Sequence, residues 1–135
     1  MKTFFSSTLF WGIIGLIVIP NLGISQDLPL ILSSKSMPTE TGIKLEFVLS
    51  SNIKKDDVSS WIEQGNWFIL NFYNIIRPEP EFFKNLITYP IREVEQIWLQ
   101  NSNSLQLSIQ VNRSIGIFDV LIHDGGRNVS IVITY

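Results

Sequence analysis

His123 is the single histidine of a 135-residue chain without cysteine, so a metal centre would have to gather carboxylates around one imidazole. Asp119 stands four positions earlier, in phase along a strand, within reach of a hydrogen-bonded pair. The simpler reading is a histidine at a strand end, ahead of the turn residues Asp124, Gly125 and Gly126. Twelve acidic residues offer many carboxylate pairs for glycoside cleavage, but no motif sets the spacing of any pair. The G-x-S-x-G elbow, the phosphate-binding loop and the dinucleotide glycine pattern do not occur. These residues point away from an enzyme: no catalytic group, no metal and no cofactor is expected.

Binding chemistry is better supplied. In "VEQIWLQ", Ile97 and Leu99 alternate with Gln96, Trp98 and Gln100. If the aliphatic pair faces a core, Trp98 faces outward between two amides. Aromatic faces stack on sugar rings, and amides hydrogen-bond their hydroxyl and acetamido groups. Trp98, Gln96 and Gln100 are therefore glycan-binding candidates, and Trp61, flanked by Ser59 and Glu63, is another; the alternative for each tryptophan is packing at a rim.

The elements that must position these side chains are strands. "IKLEFVL" alternates Ile43, Leu45, Phe47 and Leu49 with Lys44, Glu46 and Val48, and "LQLSIQV" repeats the pattern from Leu105. Period two with one apolar face is a half-buried strand. Residues 43–73 and 105–135 align without a gap at an offset of 62, pairing Leu45 with Leu107, Ile53 with Ile115, Asp57 with Asp119, Val58 with Val120, Asn66 with Asn128, Ile69 with Ile131 and Tyr73 with Tyr135. An internal duplication is the leading explanation. Each half reads as two hairpins, with Gly65–Asn66 and Asp124–Gly126 as turns that tolerate positive φ. The expected fold class is all-β: a sandwich of two quasi-symmetric sheets, about eight strands, built from halves at about 28–73 and 94–135.

Residues 74–93 form a linker in which Pro78 and Pro80 end the preceding strand and "PEFFKNLI" suits one or two helical turns. In the gapless alignment Phe68, Leu70 and Phe72 take the places of Ser130, Val132 and Thr134, which leaves "WFILNFY" apolar on both faces. The linker residues Phe82, Phe83, Leu86 and Ile87 are expected to cover the extra face. The alternative leaves Phe68, Leu70 and Phe72 open to dock a partner.

The first 25 residues read as a signal peptide: Lys2 supplies the positive start, "LFWGIIGLIVIP" the apolar run, and Gly23 and Ser25 the small residues before a cut at Gln26. A retained anchor is the alternative, but residues 4–19 are shorter than the roughly 20 apolar residues a membrane-spanning helix needs. Residues 26–135 would then form one exported domain, touching membrane only through its signal peptide. They hold nine basic and twelve acidic residues, a formal charge of −3. Nucleic acid and anionic membrane surfaces reward clustered Lys and Arg and are poor partners for such a chain. The triplets at Asn112 and Asn128 match the N-glycosylation pattern, a signal short enough to arise by chance.

With "VEQIWLQNSNSLQLSIQV" and "GNWFILNF" in view, the chain resembles the AMIN domain found beside bacterial amidases and type IV pilus secretins. The likeness spans residues 28–135 and consists of apolar alternation and turns. The basic residue often seen before the family's central strand is Lys44 in the first half and Gln106 in the second, and Asn71 stands where its strands carry an acid. What the resemblance implies is a non-catalytic domain of the periplasm and cell envelope that binds peptidoglycan and localises envelope machinery. The alternative is an assembly module that docks a partner protein, such as a secretin or pilus component, through a sheet edge or an apolar face.

Overall fold

The computed structural model describes residues 28–135; the expected signal segment lies outside them. Eight strands follow in order: β1 (Ile31–Pro38), β2 (Gly42–Leu49), β3 (Val58–Glu63), β4 (Trp67–Phe72), β5 (Ile91–Leu99), β6 (Ser104–Val111), β7 (Ile117–His123) and β8 (Asn128–Thr134). They make two antiparallel four-stranded sheets, sheet A in the order β1-β2-β8-β7 and sheet B in the order β3-β4-β6-β5. The only helical pieces among the described residues are 3₁₀ turns of three residues. The fold is the all-β sandwich that the alternation predicts.

Each half contributes its first hairpin to one sheet and its second to the other, so that replacing β1–β4 by β5–β8 turns one sheet order into the other. Finer features obey the same exchange. The register slips between Ile31 and Ser33 where β1 meets β2, and between Ile91 and Glu93 where β5 meets β6. Reciprocal backbone hydrogen bonds tie the halves: Ile53 N–H donates to the Gly126 carbonyl at 2.9 Å, and Ile115 N–H to the Gly65 carbonyl at 2.7 Å. Leu49 and Val111 donate likewise to Arg127 and Asn66. Gly65 and Gly126 both hold positive φ, at 82° and 105°, and a Cβ on Gly126 would lie 2.4 Å from the Ile53 oxygen. Glycine therefore meets two requirements there, φ and close approach.

The repeat is real in topology but not gapless. Leu45 and Leu107 are both fully buried, as are the core-facing residues around them, so β2 and β6 keep the offset of 62. On the last strands the inward residues are Phe68, Leu70 and Phe72 against Val129, Ile131 and Ile133, an offset of 61. The shift is the net of two connections: four residues separate Ile53 from the inward Val58 but only two separate Ile115 from the inward Phe118, and the turn gives one back, with three residues between the paired Glu63 and Trp67 and four between His123 and Asn128. Only Leu45/Leu107 and Ile53/Ile115 survive from the seven identities; pairs such as Ile69/Ile131 fall on opposite faces.

This phase error decides the fate of Phe68, Leu70 and Phe72. They are buried between the sheets with no exposed surface and are not a docking face. Each fully buried side chain of this size stabilises the fold by about 1.5–3 kcal/mol. The second face of β4 needs no linker, because β4 is an inner strand whose outward Ile69 is flanked by Trp61 and Ser108, and whose Asn71 is flanked by Ser59 and Gln106. The linker instead closes the side of the sandwich where β1 and β5 are the edges. Its turn Lys84–Leu86 buries Leu86, and the Phe83 ring lies 6.4 Å from Phe47, itself 5.4 Å from Phe72. Asn85 Nδ2 donates to the Ser34 carbonyl at 3.0 Å and Ser36 Oγ to the Leu86 carbonyl at 3.4 Å. Strand boundaries also move: β1 runs to Pro38 rather than ending at Ser34, and β5 starts at Ile91 rather than Val94, since pairing with β2 and β6 continues there.

Candidate binding surfaces

Trp98 does not face outward. It pairs with the buried Leu105 and packs against the core, while Ile97 and Leu99 are 48% and 45% exposed. The bulge after Ile91 is the cause. One extra residue moves the inward set from Ile91 to Val94, Gln96 and Trp98, so the apolar pair used to set the phase lies outside. The three-residue step from Ile91 to Val94 is the sequence signal for that bulge. Gln96 donates its amide to the Pro80 carbonyl where the linker crosses, and Gln100 sits in the exposed turn Gln100–Ser102. These three do not form a platform.

Trp61 does stand on an open surface. It is 39% exposed on the outer face of sheet B, with its indole N–H donating to Glu63 at 3.0 Å. Register places three rows across that face: Ser59–Asn71–Gln106–Ile97, Trp61–Ile69–Ser108–Glu95, and Glu63–Trp67–Gln110–Glu93. Ser59 Oγ lies 2.8 Å from the Tyr73 hydroxyl and accepts from Asn71 Nδ2 at 3.4 Å. At the far edge Glu95 hydrogen-bonds Glu93, and sharing a proton with a second carboxyl raises the Glu95 pKa. Trp61 and Trp98 therefore occupy opposite faces and opposite edge strands of one sheet.

A concavity lies on the side that the linker leaves open. A cleft of about 800 Å³ runs between β3 and β7, bordered by Ile53, Val58, Ser60, Phe118, Val120 and Ile122. Its size falls within the range of about 300–1,000 Å³ typical of binding pockets. Val58, Phe118, Val120 and Ile122 are half-buried and join the core from the rim. Both bordering strands pair on one side only, which leaves a row of backbone donors and acceptors unmatched along each edge.

The four sheet edges differ in protection. β1 and β5 carry register slips and lie under the linker. β3 ("VSSWIE") and β7 ("IFDVLIH") keep unbroken registers and contain neither proline nor lysine, the residues that commonly blunt an edge. The cleft is not legible in the sequence, because it forms where strands 60 positions apart meet.

His123 Nε2 lies 3.0 Å from Ser130 Oγ across the β7–β8 pair, and its Nδ1 4.0 Å from Asp124. It is a strand-end histidine satisfied by its neighbours rather than by Asp119. The chain matches no protein-family model and no curated protein.

Proposed function

We propose that this protein is a non-catalytic assembly module that docks a partner protein through the open side of its sandwich. The carrying observation is the contrast between edges: two are bulged and covered, while the two that flank the cleft are straight and unpaired. A straight edge beside half-buried apolar side chains offers an incoming strand both ladder hydrogen bonds and apolar burial. The export segment expected over residues 1–25 and the AMIN resemblance support a site of action in the cell envelope. A photo-crosslinking residue at Val120, in the cells that make the protein, is expected to give a discrete protein adduct that the same residue at Lys35 does not give. Equal labelling from both positions would overturn the docking reading.

Trp61 supports a second reading, peptidoglycan binding on the outer face of sheet B, where an exposed indole on the edge strand shares the face with Gln106 and Gln110, two strands away. Sedimentation with insoluble sacculi tests it. The parent is expected to pellet and Trp61→Ala to pellet less, at an unchanged thermal midpoint; a parent that stays in the supernatant removes the glycan reading.

A further inference from the structure

We propose that the strand docked at β7 is β7 of a second copy of this chain, joined antiparallel about Val120 so that two four-stranded sheets A become one eight-stranded sheet. The inference rests on the docking reading and names its partner. Three observations carry it. First, β7 presents apolar side chains on both faces: Phe118, Val120 and Ile122 border the cleft, while on the outer face Ile117 and Leu121, 64% and 53% exposed, alternate with Asp119 and His123. An edge strand of that kind has an incentive to pair that a strand with one polar face lacks. Second, its neighbour β8 matches it residue for residue without a bulge, so its free side is straight along seven residues.

Third, the sequence of β7 is self-complementary. With Val120 opposite Val120 of the second copy, Phe118 meets Ile122 on the inner face, and on the outer face Asp119 meets Leu121 and Ile117 meets His123. All seven residues pair, apolar side chains meet on the inner face, and no like charges lie directly opposite. Centred one position earlier, the same pairing would oppose the two Asp119 carboxylates, which is destabilising. β3 offers less: Ser59, Ser60 and Glu63 make half of its six residues polar.

The absence of cysteine from the sequence makes the test clean. The protein expressed from its full sequence is expected to sediment at twice the chain mass. Val120→Cys is expected to give an oxidised dimer, because residues directly opposite in an antiparallel pair have Cα atoms about 4.5–5.5 Å apart, within the roughly 4.4–6.8 Å that a disulfide spans. Leu121→Cys and Ser60→Cys are expected to stay largely uncrosslinked. Val120→Lys, which places a charge on the inner face at the edge, is expected to give the single-chain mass with an unchanged circular dichroism spectrum. A parent that sediments as a single chain, a dimer that survives Val120→Lys, or equal crosslinking from Leu121→Cys would each overturn the pairing. If a single-chain parent still gives a Val120 photo-adduct with a different protein, self-pairing fails while the docking reading stands.

Discussion

Leu107, Trp98 and Trp61 sit on one sheet and answer to three environments. Leu107 is fully buried, so Leu107→Ala is expected to cost about 2–5 kcal/mol in chemical denaturation. Trp98 leans on the core from the rim; Trp98→Ala is expected to cost on the order of 1–2 kcal/mol, below the 3–5 kcal/mol of a fully buried aromatic. Trp61 points outward, and its truncation is expected to stay within about 0.5 kcal/mol. Equal losses for the two tryptophans would contradict the inward placement of Trp98. Gly126→Ala combines positive φ with a clash against the Ile53 carbonyl and is expected to cost about 1–3 kcal/mol in the same measurement, loosening one of the two reciprocal ties between the halves.

At the scale of elements, the β1 edge is held by packing from the linker and by charge from its neighbour. Glu46 of β2 lies 3.1 Å from Lys44 and 3.5 Å from Lys35 across the strand pair. The hydrogen bond and charge of Lys44, helped by Lys35, lower the Glu46 pKa below its ordinary value of 4.5. A carboxyl held down in the folded state adds stability above its unfolded pKa and loses it as pH falls through the folded one. Glu46→Gln is therefore expected to lower stability at neutral pH by roughly 0.2–1 kcal/mol, the scale of exposed ion pairs. The difference from the parent should shrink as pH falls below the ordinary value of 4.5 and vanish once pH is below the lowered folded-state value. A gap between parent and variant that widens in acid would refute the assignment.

For the whole molecule, the two sides of the sandwich are expected to behave differently. The linker side is part of the core: Phe83 and Leu86 are buried against it, and Phe83→Ala is expected to cost about 3–5 kcal/mol, seen as a lower denaturation midpoint. The strands on the cleft side carry half-buried or exposed residues, so amide exchange is expected to be faster along β3 and β7 than along β4 and β8 in a single chain. Association at β7 would protect that strand in a concentration-dependent way and leave β3 exchanging, a pattern that global stabilisation would not give.

Alternation by itself determined that this chain builds strands, how many, and which residues of β2 and β6 are buried, because side-chain direction along a strand follows from backbone geometry alone. The turn glycines were legible for the same local reason: φ is a property of one residue, and Gly65, Gly125 and Gly126 all take positive values. Phase across interruptions was not legible. One extra residue in a bulge turned Trp98 inward, and a net difference of one residue between the connections of the two halves put Phe68, Leu70 and Phe72 in the core, since a shift of one exchanges the two faces of a strand. The candidate site lay further out of reach. The cleft exists because the halves exchange hairpins, which makes β3 and β7 edges on the same side of the sandwich, and because the linker covers the opposite side. Edge position belongs to strand order, and strand order is set by which apolar faces can be buried together in three dimensions.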